Sequence, residues 1–387
     1  MATTRDGGAP WTFAWTPHWD DAWTGSMGAL WRELADASTE ANAFHEPALC
    51  RIWAETVGAA TGAAPVVGVA TATDGTRVLL PWVLTTHRGR RLSRRVIEPI
   101  GQTLFGYHDP LPSRALSPAE ARALWPAARR ALPVASDAAL FRFAHDTIAL
   151  GPMSEPVGED SPVLDLGGTA DLDALLAGMS RNAREQVRRA RRKLDAAGAV
   201  CLSLCPPASA QAAAAEYRSH VVPAYRALWR ARPAGCLLDL PGVERFFERV
   251  VEVGVGEGWA QMARLTVGGT AVAWHVGLVH RSGWYWWLPA HDPSRADLSP
   301  GRVLMAELIS RAIAERVPRL HLMIGAQRYK QSWRPSPLAL RTVRWHAPGA
   351  RGTMLRWYDA VRRRGAPAAA AAATDAHRGD GPEADDA

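Results

Sequence analysis

The run Ser299-Pro300-Gly301-Arg302-Val303-Leu304 follows the strand-like Trp284-Tyr285-Trp286-Trp287 and opens an amphipathic helix. A helix N-terminus presents unpaired backbone N–H groups and the positive end of the macrodipole, which together favour an anion. Ser299 as N-cap and Pro300 at the first helical position account for Ser-Pro, but not for the two residues that follow. Gly301 removes a side chain that would block close approach, and Arg302 adds a guanidinium fork suited to phosphate. The expectation is a pyrophosphate-bearing ligand held by N–H groups around Gly301 to Val303.

Working outward, the chain contains this unit twice. Asp74-Gly75-Thr76 before Val78-Leu79-Leu80 matches Gly268-Gly269-Thr270 before Val272-Ala273-Trp274, and His108-Asp109-Pro110 matches His291-Asp292-Pro293. Ser117-Pro118 before a helix at 121–132 matches Ser299-Pro300 before a helix at 303–313, and the strand-like 139–143 matches 319–323. Four matches in one order predict two copies of an α/β unit: a hairpin or meander, a turn, a helix and a further strand. Where the second copy has Gly301-Arg302 the first has Ala119-Glu120, and a carboxylate there repels phosphate. The anion site is therefore expected in the second copy alone, with the first a degenerate partner.

Composition sets the outer limits. The chain has 387 residues, is 48% hydrophobic and carries a net charge of +7, enough for two packed cores and a basic surface. No stretch reaches the length of a membrane span, and the first residues lack the order of a signal peptide, so a cytoplasmic protein is expected. Cys50, Cys201, Cys205 and Cys236 lack metal-site spacing and read as reduced thiols; no metal is expected. The last residues, 366–387, hold five acidic side chains against one arginine within an Ala-rich run, and read as a disordered acidic tail. A terminal helix is expected at 351–365.

Between the copies, Arg181, Arg184, Arg188 and Arg192 recur at spacings of three and four and share one face of a helix over 179–194. Val187, Ala190 and Leu194 form its apolar stripe. This basic face suits phosphate, an acidic glycan or a nucleic acid, against the plainer reading of a solvated helix surface, and no nucleic-acid-binding module accompanies it. The run 259–288 reads as an antiparallel meander around Gly268-Gly269 and Arg281-Ser282-Gly283. Along its third strand Tyr285 and Trp287 share one face and Trp284 and Trp286 the other, so one face packs on helices and the other is a candidate acceptor cleft, which Asp292 at the next turn would border. Tyr329-Lys330, just beyond a strand end, is placed to enter a cleft: Tyr329 as acid for a leaving thiolate, Lys330 as oxyanion stabiliser. His321 and His275 are candidate bases. Signatures of serine hydrolases, zincins and P-loop nucleotidases are missing.

These residues resemble a family. Tyr285 to Leu288, Asp292-Pro293, Ser299 to Leu304 and Tyr329-Lys330 with Trp333 resemble the GNAT-fold acetyltransferases of the CelD-like group; Asn42-Ala43-Phe44-His45, Trp53 and Tyr107 to Leu111 resemble that group's N-terminal region. The resemblance implies an α/β (α+β) fold of two tandem GNAT-like domains, each a mixed, mainly antiparallel sheet flanked by helices, related to Fem-type aminoacyltransferases. The expected division is a degenerate domain at 1–163, an acyltransferase domain at 164–350, the terminal helix and the tail. It also implies transfer of an acyl group from acetyl-CoA or another acyl-CoA to an amine or hydroxyl of a small molecule, amino sugar or polysaccharide precursor. The resemblance implies an N-acetyltransferase first of all, but this chain departs from the family at His321 and at Ala326, Gln327 and Arg328, where acidic residues are usual; an amine acceptor benefits from a nearby carboxylate, so these departures bear on acceptor preference and on activity. The alternatives are a Fem-type transferase using aminoacyl-tRNA, the one reading that needs nucleic acid, and a non-catalytic glycan-binding scaffold.

Overall fold

The computed structural model describes residues 11–88, 93–157, 161–230, 235–325 and 327–365; the expected tail at 366–387 lies outside them. These residues form two compact units, the first from 11–157 with 339–365 and the second from 161–338.

The first unit is built on a sheet of β1 (Thr12–Thr16), β2 (Ala64–Thr71), β3 (Arg77–Arg88), β4 (Ser93–Pro99), β5 (Leu111–Pro112), β6 (Ala138–His145) and β7 (Ser154–Pro156). The second contains β8 (Ser161–Asp165), β9 (Val200–Leu204), β10 (Ala260–Val267), β11 (Thr270–His280), β12 (Gly283–His291), β13 (Arg319–His321) and β14 (Ser336–Leu338). A last strand, β15 (Leu340–His346), returns to the first sheet. The sheet orders are β1-β2-β3-β4-β6-β15-β7, with β5 on β3, and β14-β8-β13-β12-β11-β10-β9.

The internal repeat is visible strand by strand. Each unit has an antiparallel meander, β2-β3-β4 or β10-β11-β12, then a helix, Pro118–Ala131 or Pro300–Ala314, then a strand lying parallel to the last of the meander, β6 or β13. A parallel neighbour needs such a crossover, and the helix supplies it. The turn joining β10 to β11 is Gly268-Gly269, both with positive φ (56° and 83°), as a two-residue hairpin turn of the primed type requires. Phe143 and Met323 occupy the same place in the two copies, and both adopt left-handed φ (60° and 63°), rare for bulky residues. Its recurrence in both copies marks this kink as architecture rather than chemistry.

Each helix of the repeat holds its sheet through bulky apolar residues. In the Pro300–Ala314 helix Val303, Leu304, Leu308 and Ile309 are almost wholly buried with Trp284 and Trp286. Each such side chain contributes about 1.5–3 kcal/mol through removal from water. In the first unit Trp82, Trp125, Phe141 and Trp345 form the equivalent cluster. Trp345 lies on β15, whose backbone pairs with β6 from Leu340↔His145 to His346↔Ala138. The sequence reading carried the second domain on to 350, but these hydrogen bonds place Leu340–His346 in the first unit. The terminal helix, Ala350–Gly365, is also part of that unit, anchored by Leu355 and by ion pairs of Asp359 with Arg94 and His346, both 3.0 Å.

The four cysteines are free thiols, and no helix among the described residues is long and apolar enough to cross a membrane.

Candidate active site

The second unit is organised around a fork. β12 and β13 pair at only two positions, Trp284↔Leu320 and Tyr285↔His321, and beyond these the parallel ladder ends. The start of the Pro300–Ala314 helix follows the free end of β12, while Leu322–Lys330 continues from β13.

At the helix start, Ser299 has φ 54° and ψ 50° and makes no side-chain cap bond, so its expected capping role is corrected. Its counterpart Ser117 does cap: the hydroxyl accepts from Glu120 N–H at 3.3 Å and the Glu120 carboxylate accepts from Ser117 N–H at 2.8 Å. The hydrogen bond from Arg114 at 2.7 Å holds Glu120 at a pKa of about 2, so the first copy fills its helix start with a permanent negative charge. The second copy has none. A Cβ built on Gly301 meets only His291 Nδ1, at 3.8 Å, and the backbone there is not left-handed. Neither packing nor conformation demands glycine at 301. Arg302 N–H bonds to Ser299 O at 3.2 Å, while the Arg302 guanidinium donates to Gln186 of the helix Arg181–Ala197. Gln186, 116 residues away, carries no local sequence signal of this contact. Val303 is buried in the core, which leaves only its backbone for a ligand. His291 sits beside Gly301, and burial lowers its pKa, favouring the neutral ring.

The first unit has the same fork, with β4 and β6 paired only at Val96↔Ala138 and Ile97↔Ala139. There His108 bridges the strand ends, its ring contacting Arg142 O through Nδ1 and Gly101 O through Nε2, while its N–H reaches Phe143 O. The matched aspartates also diverge. Asp109 is buried and accepts from both the backbone and the ring of His145, whereas Asp292 only caps the turn at Pro293–Leu298 through Ser294 N–H. Asp292 thus has a local structural role, not the expected position in an open cleft.

Four further expectations change at the fork. Both faces of the aromatic strand are covered: Trp284 and Trp286 lie in the core with the crossover helix, Tyr285 is wholly buried and stacked on His321, and Trp287 packs on Phe246 and Phe247. Tyr285 is therefore not an open acceptor contact, while Trp287 is half-buried against the two phenylalanines. His275 accepts the Trp287 N–H at 3.1 Å through Nε2, where Trp287 bulges out of the β11–β12 register. With that nitrogen engaged, burial at a pKa of about 3 and the proton on Nδ1, His275 has no lone pair to act as a base. Lys330 is 2% exposed and its ammonium donates to Ile324 O at 3.0 Å, tying down the loop after β13 instead of pointing to solvent. His321 remains at the vertex of the fork, its ring stacked on Tyr285 with centroids 4.3 Å apart and planes nearly parallel. Tyr329 is half-buried against the core edge. Ala326 lies outside the described residues; Gln327 is buried and Arg328 exposed.

The helix Arg181–Ala197 buries Ala183, Val187, Ala190 and Leu194 and turns its cations outward. Arg188 is 3.8 Å from the Asp173 carboxylate, and among the described residues Arg181 and Arg184 make no ion pair. The structure thus leaves the three as solvent-facing charges. Among the described residues no group of three or more His, Cys, Asp or Glu side chains is placed to hold a metal ion.

Comparison with known proteins covers this region. The family model of the acetyltransferase (GNAT) domain matches residues 181–331. No curated protein matches in sequence. Among solved structures, the C-terminal domain of a putative lysylphosphatidylglycerol synthetase from Agrobacterium fabrum is similar, with a TM-score of 0.50 at 13% identity over 86% of this chain and 96% of that one. The synthetase L-PGS from Bacillus licheniformis has a TM-score of 0.48 at 12% identity over 84% and 94%, and a tandem GNAT protein from the clavulanic acid pathway 0.43 at 12% over 88% and 100%. The matched residues run from the basic helix through the fork and the uncapped helix start to the loop held by Lys330, so that this part of the chain carries an acetyltransferase (GNAT) domain.

Proposed function

We propose that the second unit transfers an acyl group, most simply acetyl, from a coenzyme A thioester to an amine or hydroxyl of a small molecule, an amino sugar or a polysaccharide precursor in the cytoplasm. The observation that carries this reading is the empty volume at Gly301. A helix start with no side-chain cap, no acidic residue in its first turn and no packing reason for glycine suits a pyrophosphate against the Gly301 N–H. The coenzyme would supply an activated thioester; the protein supplies position and charge.

In this reading the Gly301 N–H and the helix dipole bind phosphate, and the Arg302 guanidinium adds positive charge beside them. The acyl group lies between the diverging strands. His321, at the vertex, takes the proton from the acceptor, and Tyr329 returns one to the leaving sulfur. Lys330 acts by holding the loop that carries Tyr329. The first unit has no such role, since Glu120 occupies its helix start and His108 closes its fork.

Calorimetry with acetyl-CoA, joined to a free-thiol assay over amines and amino sugars, tests the reading. It requires binding that Gly301→Glu abolishes. Binding of aminoacyl-tRNA in place of acetyl-CoA, with a steep salt dependence, would instead favour the Fem-type reaction.

A further inference from the structure

The helix Ala350–Gly365 carries a second, exposed apolar face. Gly352, Leu355 and Asp359 turn inward, Leu355 at 1% exposure. Met354, Trp357, Tyr358 and Val361 are exposed by 48%, 70%, 48% and 46%, the large hydrophobic side chains with the greatest exposure among the described residues. At 3.6 residues per turn these four form one stripe on the side of the helix opposite Leu355 and Asp359. The helix sequence holds Arg351, Arg356, Arg362, Arg363 and Arg364 against a single acid, Asp359. That acid faces inward to Arg94 and His346, and Arg351 pairs with Asp137 at 2.6 Å, while Arg356 is exposed and makes no ion pair among the described residues.

We propose that this helix seats the protein on an anionic lipid surface, with Trp357, Met354 and Val361 entering the headgroup boundary and the arginines meeting lipid phosphates. A tryptophan and a tyrosine beside aliphatic side chains, flanked by arginines, make an amphipathic surface matched to that boundary. The charge complements a negatively charged leaflet. The stripe from Met354 to Val361 is two helical turns long.

The test is flotation of the full-length chain with vesicles of phosphatidylcholine alone and of phosphatidylcholine with one quarter phosphatidylglycerol. Binding is expected to the anionic vesicles, to fall with added salt, and to drop at least fivefold in Trp357→Ser and in Val361→Ser at unchanged melting temperature. Equal retention of Trp357→Ser and wild type overturns the proposal, as does failure to bind anionic vesicles. Loss of binding in an Arg181→Glu/Arg184→Glu variant with Trp357→Ser unaffected also overturns it, by assigning the lipid contact to the other basic helix. A dimer that Trp357→Ser dissociates overturns it in favour of a second copy on the stripe.

Discussion

Replacing Gly301 with alanine separates a glycine kept for a ligand from one kept for the fold. The new Cβ finds only His291 Nδ1, at 3.8 Å, an ordinary van der Waals distance, and the backbone has no positive φ. Alanine should therefore be accepted without strain, and since glycine within a helix costs roughly 0.5–1 kcal/mol relative to alanine, the variant should be as stable as wild type or more so. For a unit of this size that corresponds to a melting temperature unchanged or raised by up to about 2–4 °C. Position 119 of the first copy already carries alanine in the same helical turn. For acetyl-CoA the methyl stands where the phosphate must approach the N–H. Loss of one hydrogen bond to a charged group costs about 1.5–3 kcal/mol, or a roughly ten- to 150-fold weaker Kd. Denaturant melts and calorimetry on the same preparations measure both quantities. If Gly301→Ala loses more than about 1 kcal/mol of stability, the glycine is structural; if both proteins bind acetyl-CoA equally, the pyrophosphate is not at this helix start.

The two serines at the matched helix starts should differ: Ser117→Ala is expected to cost about 1 kcal/mol, and Ser299→Ala less than about 0.5 kcal/mol because no cap bond is lost, as read from urea midpoints. Lys330→Met should destabilise by about 1–3 kcal/mol by leaving the buried Ile324 carbonyl without its donor, and unchanged stability would show that the ammonium does not hold the loop. His275 titrates near 3 when folded and near 6.5 when unfolded, so the unfolded chain binds the extra proton between those values and stability falls as pH drops below 6.5, by up to about 1.4 kcal/mol per unit. His275→Gln keeps an acceptor for the Trp287 N–H, and its stability should fall less steeply over the same range. The pH profile of acyl transfer should show no group lost in this variant; a missing limb near neutrality would restore His275 as the base.

Sequence by itself determined the repeated unit. Local signals suffice for it: paired glycines that must turn, Ser-Pro that must start a helix, and apolar runs that must be covered, each repeated in one order. It also located the difference between the copies, because Glu120 against Arg302 and Ala119 against Gly301 are changes of charge and volume readable without coordinates. Tertiary structure decided what the side chains do. Tyr285 and Trp287 alternate as the strand period dictates, yet both faces are covered, because helices distant in sequence pack on each side. His275 and Lys330 look reactive in a string of letters; burial and one hydrogen bond each make the first a neutral brace and the second a loop tie. The return of Leu340–His346 to the first sheet depends on hydrogen bonds to a strand about 200 residues earlier, and no local propensity records such a pairing.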